Sequence, residues 1–220
     1  MLCLQGGAEF GLDCREMDAA LLARADGGPV VVTALAGAPG REYRTAGDNG
    51  VRHFQALGAA DATVAPDVRE DPAGALEALR RARLLVLPGG SPARLLDALR
   101  STPVGDLVAQ LLADGVVVSG SSAGAMVLCA WTVLPERGSP AVVPGLGVVP
   151  RTLVVPHWRG ASGWLAAVEA AVPDDVRVLG LPEQSGVVVE NGSVTAVGSA
   201  ASALVSEDRL LAVGDATALW

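Results

Sequence analysis

Five short apolar runs mark out the first 120 residues: "MLCLQ" (1–5), "PVVVTALA" (29–36), "ATVAP" (62–66), "LLVLP" (84–88) and "VVVS" (116–119). Runs that are apolar throughout, rather than alternating, suit strands buried on both faces. The intervals between them are long enough for a helix, as parallel neighbours require. Helices are expected over 13–25, 74–82, 92–100 and 106–113, and from Ala123 onward, with a loop through Gly47–Gly50 and a short helix ending near Leu57. This βαβα order predicts an α/β fold, a mostly parallel sheet with helices on both faces. Beyond residue 130 the pattern changes. The four prolines Pro135, Pro140, Pro144 and Pro150 make 132–150 read as a long loop. "TLVVPHW" reads as a strand and 163–172 as a helix. "SGVVVENGSVTAVGS" reads as a hairpin turning at Asn191-Gly192 and finishing the sheet in antiparallel fashion. A length of 220 residues suits one domain, and 1–220 is taken as a single catalytic domain.

Composition removes several functions. The net charge is −8, lysine is absent, and all 16 basic residues are arginine. An acidic chain with no basic stripe is not expected to bind nucleic acid. Without lysine there is no Walker A loop and no lysine Schiff base. No apolar run reaches about 18 residues, so no membrane span or membrane partner is expected, and the N-terminus lacks the basic region of a signal peptide. Three scattered cysteines, Cys3, Cys14 and Cys129, are no disulfide framework and point to a reducing cytoplasm. None has metal-ligand spacing, and His53 and His157 are the only histidines, so neither metal nor other cofactor is expected.

The chemistry concentrates in "VVVSGSSAGAMVL" (116–128). Gly120-Ser121-Ser122-Ala123-Gly124 is a G-x-S-x-G pattern with a strand before it and a helix after it. A sharp strand–turn–helix bend projects the central hydroxyl above the carboxyl end of a sheet, and small neighbours let strand and helix approach. Ser122 is therefore the candidate nucleophile, and the Ala123 N–H a candidate oxyanion donor. A serine needs a base, and the two histidines are the candidates. His53 lies in a helical pattern and is expected at the surface or boundary. His157 follows the strand "LVVP" and is expected at the same edge as Ser122. The turn Gly89-Gly90-Ser91-Pro92 also ends a strand, so Gly90 can supply a second oxyanion donor. Two carboxylates, Glu136 and Glu183, could orient the imidazole, and spacing does not choose between them.

These segments together resemble the serine peptidase family of aspartyl dipeptidase (peptidase E) and cyanophycinase. The matching residues are "LPGGSPARLL" (87–96), "GSSAGAMV" (120–127), "PGLGVVP" (144–150) and "VVPHW" (154–158). The resemblance implies a class I glutamine amidotransferase-like fold, a flavodoxin-like three-layer sandwich. It implies Ser122 as nucleophile, His157 as base, and Gly90 with Ala123 as the oxyanion hole. Glu136 occupies the place of the dipeptidase branch's acid, as glutamate rather than aspartate. Glu183 resembles the acid that the cyanophycinase branch carries after its next strand, and it stands behind Glu136 as the second candidate for the acid or as a substrate contact. The helix after His157 lacks the arginine with which the dipeptidase branch reads an N-terminal aspartate. Arg159 could instead hold a peptide carboxylate bidentately.

The leading expectation is a cytoplasmic serine exopeptidase for short peptides, dipeptidase or carboxypeptidase-like, with a Ser-His-Glu triad. Exposed sheet edges leave room for a homodimer. One alternative is an esterase of α/β-hydrolase type, although the interval from Ser122 to His157 is short for that fold. The other is a non-catalytic peptide or metabolite binder on the same scaffold. A glutaminase would need a cysteine at the elbow, and "QGGAEFG" does not match the dinucleotide fingerprint.

Overall fold

In the computed structural model, which describes residues 1–135 and 140–219, each of the five runs contributes a strand. The first half comprises β1 (Leu2–Gln5), α1 (Arg15–Arg24), β2 (Val30–Val32), α2 (Arg41–Ala56), β3 (Ala62–Val64), α3 (Pro72–Arg80), β4 (Leu84–Leu87), α4 (Pro92–Ser101) and α5 (Val104–Ala113). Then come β5 (Val117–Ser121), α6 (Ala123–Leu128), β6 (Cys129–Leu134), β7 (Ala141–Pro144), β8 (Val149–Val155), α7 (Leu165–Ala171) and β9 (Arg177–Gly180). The chain finishes with β10 (Ser185–Glu190), β11 (Ser193–Gly198), β12 (Ser202–Leu204), β13 (Arg209–Leu211) and β14 (Ala216–Ala218).

Among the described residues these strands form two sheets. The larger has the order β14-β11-β10-β1-β5-β4-β2-β3. Its β1, β5, β4, β2 and β3 are parallel, and β10, β11 and β14 add antiparallel strands beyond β1. The hairpin turns at Asn191, whose φ is +50°, and Gly192, as the sequence suggests. The pleat of β4 explains its apolar run. Leu84 and Val86 face a cluster with Met17 and Leu21 of α1 and Phe54 of α2. Leu85 and Leu87 face the opposite cluster with Leu79, Leu95 and Val108 of α3, α4 and α5. With both faces buried, alternation disappears from the sequence.

The second sheet, β13-β12-β9-β8-β6-β7, departs from the single sheet that the sequence predicts. The expected loop over 132–150 instead contains the end of β6, all of β7 and the start of β8. The prolines sit where strands tolerate them. Pro135 follows β6, Pro140 precedes β7, and Pro144 ends β7, an edge strand. Pro150 lies where the β6–β8 register slips between Cys129 and Trp131. The larger core cluster continues from β4 through Met126 and Leu128 of α6 to Leu153 of β8 and Leu179 of β9. α2 also corrects an expectation, because Gly47 and Gly50 lie inside a 16-residue helix rather than in a loop. A Cβ at Gly47 would come within 2.5 Å of Val64, so this glycine allows close helix–sheet packing. No helix among the described residues is long and apolar enough to cross a membrane.

Candidate active site

Ser122 sits between β5 and α6 with φ +48° and ψ −108°, a conformation that costs on the order of 1–3 kcal/mol. The surrounding structure enforces it. The Ser122 N–H donates to Gln5 O at 2.9 Å, and Ser122 O accepts from Met126 N at 2.9 Å. α6 is buried along its whole length. The flanking glycines permit the bend: a Cβ on Gly124 would lie 2.3 Å from Leu87 O, and one on Gly120 would lie 2.7 Å from Gly124 C.

His157 comes from a different sheet than the sequence suggests. It follows β8, whose Val155 pairs in parallel with Gly180 of β9. The two sheets meet at the carboxyl end of β1. There Gly6 O accepts from His157 N at 2.9 Å, and Gly7 O accepts from Gln184 N at 2.9 Å. Gly7 lies against the imidazole, where a Cβ would reach 2.3 Å from His157 Cε1. Trp158 N bonds Leu181 O at 3.0 Å, and the indole covers Gly180. The histidine backbone is itself in the left-handed region, at φ +52°.

The side chains converge. Ser122 Oγ lies 3.1 Å from His157 Nε2, and His157 Nδ1 lies 3.0 Å from Glu183 Oε1. The carboxylate favours the tautomer with hydrogen on Nδ1, which leaves Nε2 to accept the serine proton. Glu183 lies in the crossing from β9 to β10, between the two sheets. Both side chains of the His157–Glu183 pair are about half open to solvent, at 47% and 45%. Glu136 lies outside the described residues. Gly89 abuts the elbow, since a Cβ there would come within 3.1 Å of Ser122 Cβ. Gly90 follows it in an exposed turn at φ +139°, and among the described residues its N–H has no acceptor. The Ala123 N–H opens α6, where intrahelical acceptors are lacking. Arg159 is exposed, two residues beyond His157.

Other groups are accounted for. His53 is buried rather than superficial. Its Nε2 lies 2.8 Å from Asp18 Oδ2, and Asp18 Oδ1 accepts from Gln5 Nε2 at 2.7 Å. Cys129 is buried and burial pushes its thiol well above the usual range, so it is no nucleophile. One residue that sequence reasoning passed over is Glu9, whose carboxylate accepts from Gly89 N at 2.7 Å and from Ser121 Oγ at 3.0 Å. The available signal was a carboxylate two residues after the Gly6-Gly7 turn.

Comparison with known proteins agrees with this architecture. The family model described as "Peptidase family S51" matches residues 41–197. A cyanophycinase of Trichormus variabilis is 28% identical over 220 residues, covering 93% of this chain and 73% of that protein. A peptidase E of Nostoc sp. is 27% identical over 135 residues, covering 56% of this chain and 55% of that protein. The crystal structure of a peptidase from an acI-B1 Actinobacterium superposes with a TM-score of 0.83 at 23% identity, covering 99% of this chain and 96% of that one.

Proposed function

Because this chain belongs to peptidase family S51 and is a serine-type peptidase, we propose that it is an exopeptidase for short peptides working through Ser122, His157 and Glu183. The observation that carries this reading is the continuous chain Ser122 Oγ–His157 Nε2, His157 Nδ1–Glu183 Oε1, at 3.1 and 3.0 Å. His157 takes the serine proton as Oγ attacks the scissile carbonyl carbon. The carbonyl oxygen becomes an oxyanion facing the N–H groups of Gly90 and Ala123. The imidazolium, steadied by Glu183, returns the proton to the leaving amine as the C–N bond breaks. Water, deprotonated by His157, then releases the acyl group and restores Ser122.

Arg159, exposed and two residues beyond His157 in the chain, carries a guanidinium suited to the terminal carboxylate of a short peptide, which supports this reading. Ser122→Ala and His157→Ala should each lower kcat by about 10⁴-fold or more while the circular dichroism spectrum stays unchanged. A panel of di-, tri- and tetrapeptides with free and blocked termini separates the modes of action. Carboxypeptidase-like action requires the free carboxylate, and dipeptidase action requires both termini. Parent-like hydrolysis by Ser122→Ala, or equal cleavage of all blocked peptides, would sink the proposal.

A further inference from the structure

We propose that Glu9 is a positioning residue that holds the oxyanion hole in register with the nucleophile, an inference that rests on the assignment of Ser122, Gly90 and Ala123 above. Glu9 lies in the loop after β1, between Ala8 and Phe10, which both have positive φ, at +54° and +64°. Two non-glycine residues in that region are costly, so the loop is shaped to deliver what lies between them. The delivered side chain is half-buried and uses both oxygens. Oε1 accepts from the Gly89 N–H at 2.7 Å and Oε2 from the Ser121 hydroxyl at 3.0 Å.

Each partner immediately precedes a group that the reaction needs. Gly89 precedes Gly90, one oxyanion donor. Ser121 precedes Ser122, the nucleophile, and Ala123, the other donor. A single carboxylate therefore clamps the β4 turn to the β5 elbow by two charge-assisted bonds. The clamp matters because Gly89-Gly90 is intrinsically loose, with no side chain to fix its peptide planes. With its N–H committed to Glu9, Gly89 turns its peptide one way, and the Gly90 N–H remains free for the oxyanion. A Cβ at 89 would lie 3.0 Å from Glu9 Oε1 and 3.1 Å from Ser122 Cβ, so a larger residue there would press on both the clamp and the nucleophile.

The negative charge itself is unhelpful beside a developing oxyanion, so the benefit must come from geometry. Gln separates the two effects. It keeps an acceptor for Gly89 N–H, can donate its amide to Ser121 Oγ, and carries no charge. Glu9→Ala should lower kcat by about 10- to 100-fold with KM within about threefold, the signature of a misplaced transition-state contact. Glu9→Gln should recover kcat to within about fivefold of the parent, and Ser121→Ala should fall between the two. Thermal melts run alongside, and Glu9→Asp replaces Glu9→Ala if the latter does not fold, because the shorter carboxylate cannot span both partners. Full kcat in Glu9→Ala or Glu9→Asp with an inert Ser122→Ala control would overturn the clamp alone. Activity in the Ser122→Ala control would overturn the reading on which it rests. A rise in KM confined to substrates with a free amino terminus, in both Glu9→Ala and Glu9→Gln, would assign Glu9 to substrate binding and also overturn the clamp.

Discussion

The carboxylate of Glu183 meets an imidazole nitrogen while much of its side chain stays in water. A solvent-screened bond of this kind contributes little to stability, yet it decides which nitrogen carries the proton. Glu183→Gln should therefore leave Tm nearly unchanged and slow hydrolysis by about 10²- to 10⁴-fold. Glu136→Gln, made in parallel, should leave kcat within about twofold. Steady-state kinetics on one peptide decides between the two acids, and the reverse ranking would return the role to Glu136. Ser122 was legible in the sequence because the elbow needs small residues at fixed offsets around it. His157 was legible because the chain has so few imidazoles. That Glu183 lies beside His157 was not, because distance along the chain does not report which loop crosses between two sheets. Glu9 was missed for the same reason, since its partners lie 80 and 112 positions away.

At the scale of elements, the bend between β5 and α6 depends on atoms that are absent. A methyl on Gly124 would overlap Leu87 O, a backbone atom in the centre of a parallel sheet that cannot step aside. Gly124→Ala should destabilise the fold by about 2–4 kcal/mol, or roughly 4–16 °C in Tm, and lower kcat at temperatures where it remains folded. Differential scanning calorimetry with kinetics checks both, and an unchanged melt would show that strand and helix can part. α4 illustrates what local chemistry alone can specify. Ser91 caps it by accepting from Arg94 N at 3.3 Å and Pro92 occupies its first turn, both readable from four residues. β6, β7 and β8 show the opposite. Their prolines signal a loop, and only pairing with neighbours places those prolines at strand ends, at an edge and at a bulge.

For the molecule as a whole, a buried polar chain ties β5, β1, α1 and α2 together. Ser119 Oγ, Gln5, Asp18 and His53 are linked by contacts of 3.2, 2.7 and 2.8 Å. His53→Ala would leave a buried carboxylate short of its partner and should cost about 3 kcal/mol, or roughly 6–12 °C in Tm, with kcat of the folded enzyme within about threefold. Denaturant melts and kinetics test this, and a stability equal to the parent would show that the pair is dispensable. The amino-acid sequence by itself determined the parallel β1–β5 framework, the elbow and the closing hairpin. Apolar period, glycine spacing and turn dipeptides are local properties that any short window contains. Only the tertiary structure decided that a second sheet supplies His157, that Glu183 stands beside it, and that Glu9 reaches the elbow. Those relations depend on two sheets meeting at the end of β1, and the energy that brings them together lies in a shared core assembled from residues distant in the chain.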